Sequence, residues 1–190
     1  MAERGFDQPV FEAQRVFRTL LTALSEPGRV LALSSGCLPP AGLDPAAAAV
    51  ALALCDGDTS LWLDAGARAA ASYLRFHTGA PIVRAPSDAL FLLASLPHRP
   101  PLALLSPGTP EYPDRSATLI LAAEGLAEGE GWTLSGPGIA GTRRLAVAGI
   151  DERFAGEWRW NRARFPLGVD VVFAARERIA ALPRGTRLEG

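Results

Sequence analysis

The stretch Ala117-Thr118-Leu119-Ile120-Leu121-Ala122-Ala123 decides the fold. It has the length of a strand, and no polar residue alternates through it. An apolar run of this kind is buried on both faces, as in a sheet covered from two sides. Ala89-Leu90-Phe91-Leu92-Leu93 reads the same way, and Val169-Asp170-Val171-Val172-Phe173 reads as a further buried strand.

Helical patterns lie outward from these strands. Over residues 7–25, Val10, Ala13, Phe17, Leu20, Leu21 and Leu24 recur at spacings of three and four and predict one buried helix face. Asp7 is placed to cap its start, and Ser25-Glu26-Pro27-Gly28 ends it, since proline cannot continue the ladder. Residues 29–33 read as a short strand. Asp44-Pro45 is a cap followed by proline at the first helical position, opening an alanine-rich helix over 45–55. Asp56-Gly57-Asp58-Thr59 turns the chain into a strand at 60–63, and a helix follows over 66–77. Residues 132–135 and 144–147 read as a strand pair joined by a longer loop, 151–163 as a helix and 179–182 as a last strand. The stretch 94–116 carries six prolines and offers no regular pattern. Strands alternating with helices predict a three-layer α/β domain.

A length of 190 residues suits one domain over 1–190. All 19 basic residues are arginine, against 20 acidic ones. Without lysine there is no Schiff base to a side-chain amine, no P-loop lysine and no lysine general base. A net charge of −1 argues against general nucleic-acid binding. The longest apolar run, 46–55, is far short of the roughly 20 residues of a membrane span. Glu3 and Asp7 leave no apolar leader, and Cys37 and Cys55 form no CxxC, so a reduced cytoplasmic protein is expected. GxSxG and HExxH are absent, and His77 and His98 lie in different segments, so no intrinsic metal site is expected.

Gly136-Pro137-Gly138 reads as a tight turn needing positive φ in preference to a phosphate-cradling loop. Leu74-Arg75-Phe76-His77-Thr78-Gly79 crowds guanidinium, imidazole and hydroxyl into four positions, all able to donate to an anionic oxygen. On chemistry alone the plainer reading leads: Arg75 and His77 serve the last helical carbonyls and the negative end of the dipole. Asp56 and Asp58 form either a carboxylate pair or an ordinary turn. Arg153, Arg159, Arg162 and Arg164 alternate with acids on a solvated or partner-facing helix. Trp158 and Trp160 cannot both face one core there, so one is expected to face a partner.

Several runs, taken in order, resemble a known family. They are Phe17-Arg18-x-Leu20-Leu21-x-Ala23-Leu24-Ser25-Glu26-Pro27-Gly28, Leu54-Cys55-Asp56-Gly57-Asp58-Thr59 with Trp62-Leu63, and Leu74-Arg75-Phe76-His77-Thr78-Gly79-Ala80-Pro81. Gly108-Thr109 with Ala117-Thr118-Leu119-Ile120-Leu121, Leu134-Ser135-Gly136-Pro137-Gly138-Ile139 and Phe165-Pro166-Leu167-Gly168-Val169-Asp170 complete the set. Together they are similar to the PhnH family, a component of the bacterial carbon–phosphorus lyase system that breaks down phosphonates. The resemblance implies a three-layer α/β/α sandwich with a mixed sheet, like the large domain of the pyridoxal-phosphate-dependent transferases but without that cofactor. It implies a homodimer in isolation and assembly with PhnG, PhnI and PhnJ, the G, I and J components of the system, with PhnL acting alongside. The assembly's substrates would be ATP and an alkylphosphonate, which replaces adenine at ribose C1 to give a ribose 1-phosphonate 5-triphosphate. No firm chemistry is assigned to PhnH proteins themselves, and nucleosidase activity is placed on PhnI.

On that resemblance and on anion-donor chemistry, Arg18, Glu26, Arg75, His77 and Thr78 are the candidate cluster, with the two arginines clamping phosphonate or triphosphate oxygens. Against it stands a scaffold that stabilises the nucleosidase component and has no ligand site of its own. An autonomous transferase is the weakest reading, because no nucleophile-plus-base pair is visible.

Overall fold

A computed structural model describes residues 3–189. In chain order its elements are helix α1 (Pro9–Ser25), strand β1 (Leu31–Ala32), helix α2 (Pro45–Leu54), strand β2 (Leu61–Leu63), helix α3 (Ala71–Thr78) and strand β3 (Phe91–Ser95). Strands β4 (Thr118–Ala122), β5 (Gly125–Ser135) and β6 (Arg143–Ala148), helix α4 (Arg153–Arg162), and strands β7 (Asp170–Ala175), β8 (Arg178–Leu182) and β9 (Arg187–Glu189) follow. Six strands form one sheet in the order β1-β8-β7-β4-β3-β2. Strands β2, β3, β4 and β7 run parallel, while β8 runs antiparallel to β7 and β1, so the sheet is mixed.

The unbroken apolar runs do what their composition requires. Leu93, Ile120, Val172 and Ala174 enter one core, under the three N-terminal helices. Leu92, Leu119, Leu121, Val171 and Phe173 enter a second core on the opposite face. Between sheet and solvent on the first face lies α2, whose residues from Ala46 to Ala51 are all buried. Small side chains let the helix sit close to its neighbours. Its start is fixed as the Asp-Pro pair predicts: Asp44 Oδ1 accepts from Ala46 N at 2.9 Å and Ala47 N at 3.0 Å.

The second face departs from a purely helical outer layer. It is covered by a three-stranded antiparallel sheet, β6-β5-β9, together with α4 and the 3-10 turns Leu96–His98 and Leu102–Leu104. The first half of β5, Gly125-Leu126-Ala127-Glu128, has little strand propensity of its own. Pairing with β6 makes it a strand, with the register shifting between Glu128 and Trp132. Under this layer Phe154 stacks on Trp132 at 5.2 Å and on Trp158 at 6.0 Å. The connections β2–β3 and β3–β4 step the same way across the sheet. Yet α3 packs on the first face, while Leu96, Leu102 and Leu105 pack on the second. The two crossovers therefore have opposite hands, and one of them departs from the usual right-handed rule.

Helix α1 corrects the sequence reading most. Its buried residues are Glu12, Val16, Leu20 and Ala23. Val10 (78% exposed), Phe17 (44%) and Leu21 (49%), expected to face inward, instead form an outer stripe. Spacings of four and three describe both stripes, so periodicity could not choose between them. Nor does Asp7 cap the helix: Gln8 holds that position without a side-chain bond, and the Glu12 carboxylate reaches back to Gln8 N at 3.0 Å. The helix expected over 66–77 divides into a 3-10 turn, Arg68–Ala70, and α3. The proline-rich 94–116 stretch folds as β3's last residues and short 3-10 turns, of which Leu96–His98 and Pro113–Arg115 carry proline in the first two positions. Of the two neighbouring tryptophans, Trp158 is fully buried and donates to Thr186 O at 2.9 Å, while Trp160 is exposed.

The junction from α4 to β7 rests on one side chain. Buried Asn161 donates through Nδ2 to Val169 O and accepts from Val169 N through Oδ1, both at 2.9 Å. Gly168 (φ +120°) passes so close that a Cβ would lie 2.9 Å from Asn161 Oδ1. Asn161→Ala leaves two buried backbone groups unpaired and is expected to cost about 2–4 kcal/mol. The exposed Arg159→Ala is expected to change stability by less than about 0.5 kcal/mol. Urea denaturation of the two variants checks the contrast.

Candidate functional site

The sequence-predicted cluster divides between two helices. Arg75, His77 and Thr78 share the last turn of α3. There Thr78 Oγ1 donates to Leu74 O at 2.7 Å and accepts from Ala80 N at 3.0 Å, and Gly79 (φ +74°) closes the helix. The exposed His77 ring meets Tyr73 edge-on at 4.7 Å and Phe76 at 4.9 Å. Burial pushes the Tyr73 hydroxyl up to about 12, and it donates to Arg4 O at 2.9 Å. Arg18 lies midway along α1, and Glu26 is that helix's C-cap, paired with Arg29 at 2.8 Å. Among the described residues Arg18 and Arg75 have no carboxylate partner, and no hydrogen bond or ion pair joins the α1 pair to the α3 trio.

Two other sequence motifs are turns. Asp56 Oδ1 accepts from Asp58 N at 3.0 Å and from Thr59 Oγ1 at 3.1 Å. Gly136 and Gly138 both have positive φ, and a Cβ on Gly138 would collide with the Ser25 carbonyl. That contact seats the turn on the end of α1.

A different constellation sits where the parallel strands end. Because β2, β3, β4 and β7 run the same way, their carboxyl ends meet along one edge, the usual location of ligand sites in open α/β sheets. Asp64, immediately after β2, is 1% exposed. Its Oδ1 accepts from Ala67 N at 2.7 Å, and its Oδ2 accepts from Ser95 N and Ser95 Oγ, both at 2.7 Å. Ser95 Oγ lies 3.1 Å from Nδ1 of the exposed His98.

Next along the edge, the Arg99 side chain is 4% exposed and bridges Asp151 at 3.0 Å and Glu157 at 2.9 Å. Burial alone would raise the Asp151 carboxyl, but hydrogen bonds from Arg153 and Arg99 hold it below the usual carboxylate range. Glu157 also accepts from Leu102 N at 2.9 Å, so this knot ties the proline-rich segment to α4.

Two openings adjoin Glu124, just beyond the carboxyl end of β4, and neither is lined by Asp64, Ser95 or His98. A cleft of about 1030 Å³ lies between the 39–43 loop and the β7–β8 turn, with Cys37, Glu124, Arg176 and Arg178 among its lining. A hollow of about 350 Å³ lies among Leu96, Pro97, Arg99, Glu124, Gly149, Asp151 and Arg153. Glu124 borders both. Burial pushes the Cys37 thiol up, so it lines the cleft as a thiol. Among the described residues no three histidine, cysteine or carboxylate side chains are grouped to hold a metal ion. No helix there is long and apolar enough to cross a membrane.

The sequence reading missed Asp64, Ser95, Arg99 and Glu157 as a group. A polar residue directly after a buried strand was the available signal for Asp64. Ser95 and Arg99 fell in the stretch without a pattern.

Comparison with known proteins gives a consistent relationship. The sequence family described as "Bacterial phosphonate metabolism protein (PhnH)" matches residues 4–189. The Rhizobium meliloti (strain 1021) protein named "Alpha-D-ribose 1-methylphosphonate 5-triphosphate synthase subunit PhnH" is 42% identical over 191 residues, covering 97% of this chain and 94% of the relative. HtxG of Stutzerimonas stutzeri, whose name refers to a C-P lyase subunit, is 34% identical over 183 residues, covering 92% and 85%.

One wall of the cleft depends on Glu12. This buried carboxylate accepts from Gly36 N at 2.6 Å and so fixes the chain between Leu33 and Cys37. The Gly36 amide bond is the main cause that holds its carboxyl below the ordinary value, outweighing burial. A depressed carboxyl contributes stability that is present above its unfolded value and lost as pH falls through the folded one. Glu12→Gln is therefore expected to lower stability at neutral pH and to flatten the loss of stability in acid, as measured by melting temperature against pH.

Proposed function

The chain belongs to the PhnH family of bacterial phosphonate metabolism proteins, and from that premise we propose that it is an accessory subunit of a phosphonate-processing synthase of the carbon–phosphorus lyase type. The observation that carries this reading is 42% identity across 97% of the chain to a subunit named for ribose 1-methylphosphonate 5-triphosphate synthesis. In this reading one domain over 1–190, related in fold to the pyridoxal-phosphate transferases, acts in the cytoplasm. It is a homodimer when alone and joins the G, I and J components, PhnG, PhnI and PhnJ, with PhnL acting alongside. ATP and the phosphonate are substrates of the whole assembly, and this chain holds no cofactor of its own. The absence of lysine agrees with that, since no internal aldimine can form.

The outer helical surface supports a partner-binding role. Val10, Phe11, Phe17 and Leu21 on α1 are exposed, and Phe76 on α3 is 84% exposed. Apolar residues concentrated on one helix at this exposure mark an interaction surface better than they mark a solvated one. Arg18 and Arg75 stand on the same two helices, and as exposed guanidiniums they are the members of the cluster suited to contact an anion. A scaffold without a ligand site is favoured by a specific observation: Thr78 is committed to closing α3 and Glu26 to Arg29.

Growth on methylphosphonate as sole phosphorus source, together with co-purification, separates the readings. Phe17→Asp and Phe76→Asp are expected to abolish co-purification of the other components while leaving the melting temperature nearly unchanged. Under the anion-site reading, Arg75→Ala with His77→Ala assembles but fails to support growth. Assembly with full growth leaves the scaffold. If the wild-type chain captures no further components from phosphate-starved cells, the accessory-subunit reading is lost.

A further inference from the structure

The turn between β7 and β8 holds an arginine where the backbone favours glycine. Among the described residues Arg176 is the only one besides glycine with a positive φ, +58°. It is the first of the two residues between the paired Ala175 and Arg178, a position that short hairpin turns with positive φ give to glycine. Its backbone N donates to Asp44 Oδ2 at 2.7 Å, and glycine would make the same bond without the strain. What arginine adds is a side chain, and that side chain has no partner within the fold.

Arg176 and Arg178 both line the 1030 Å³ cleft at the carboxyl edge of the sheet. Neither guanidinium enters an ion pair among the described residues. Arg178 also borders a smaller hollow of about 390 Å³ that shares Leu126 with the cleft. Leu33, Pro39, Pro40 and Leu43 give the cleft apolar walls, and Glu3, Glu124 and Glu177 add carboxylates to its lining. Cations, apolar walls and acceptors are therefore offered together. A bare oxyanion would engage the arginines but bring its charge among three carboxylates. A neutral ring compound would use the walls and acceptors and leave both guanidiniums unpaired. A ligand with an anionic end, a flat body and hydrogen-bond donors uses all three, and the cleft has the volume for one.

We propose that this cleft is a nucleoside-phosphate site. Arg176 and Arg178 hold phosphate oxygens, the base lies against the leucine and proline walls, and Glu124 or Glu177 accepts from a sugar hydroxyl or base amine. The choice of a nucleotide among amphipathic anions rests on the accessory-subunit reading; the unpaired arginines and the apolar walls do not.

The test is calorimetric titration of ATP into the purified full-length chain. Saturable binding is expected, with adenosine and inorganic phosphate each at least about tenfold weaker. Arg176→Gly removes the guanidinium and suits the turn, so it is expected to weaken ATP binding about tenfold while the melting temperature is kept. Arg178→Gln removes the second charge and is expected to weaken binding similarly. Arg159→Ala, outside the cleft, is expected to bind as the wild type does, which separates a site from general attraction between arginines and a polyphosphate. No saturable ATP binding, adenosine or phosphate binding as tightly as ATP, full affinity in both cleft variants, or an equal loss in Arg159→Ala each overturns the site. Co-purification is a separate readout. Capture of the other components without ATP binding removes the nucleotide site alone, and ATP binding without capture removes the accessory-subunit reading alone.

Discussion

Burial of the parallel strands on both faces is the constraint from which the rest of the molecule follows. Strands β3, β4 and β7 send alternate residues into two separate apolar cores. A polar side chain along them would lose its hydration on either face, so polar chemistry is displaced to the strand ends. Asp64, Ser95, Glu124 and Arg176 all stand just at or beyond the carboxyl ends. At the amino end of β7, Asp170 accepts from Arg184 Nη2 at 2.5 Å. The sheet interior is silent, and its two rims carry the charge.

What could be read from the sequence follows the same division. The run at 117–123 contains β4, and the Asp-Pro pair fixes the start of α2, because each is set by local composition. The Gly136-Pro137-Gly138 turn is local too and is as its chemistry suggests, whereas the end of α3 is closed by Thr78 and not, as its sequence suggested, by Arg75 and His77. What depends on distant partners was hidden. The early part of β5 exists through β6, and the inward face of α1 was chosen by the sheet and not by its own periodicity. The Asp64–Ser95 contact spans 31 positions. It exists because Leu63 and Leu93 pair in parallel register, which no spacing within either segment announces.

The arginines show the same lesson in another form. Nineteen of them without lysine invite a search for anionic ligands, yet several work inside the fold. Arg143 Nη1 donates to the carbonyls of Glu26 and Pro27 at 2.9 and 3.0 Å, fastening the end of α1 to β6. Arg184 reaches Asp170 and also donates to Pro113 O at 2.6 Å. Arg99 holds the proline-rich segment to α4. A planar group with several fixed donors can join two or three separate acceptors at once, which an ammonium does less well. Arg99, Arg143 and Arg184 are thus cross-braces between segments distant in the chain.

Asp44 has a consequence beyond capping α2. Its Oδ1 holds the helix start, while its Oδ2 accepts from the backbone N of Arg176 at 2.7 Å, a non-glycine residue held at φ +58°. Asp44 lies between Leu43 and Pro45 on one wall of the large cleft, and Arg176 belongs to the other. One carboxylate therefore rivets the two walls together, and the width of the opening is set when the chain folds. A ligand entering there meets a preorganised surface, and its affinity is not reduced by the entropy that closing a lid would cost.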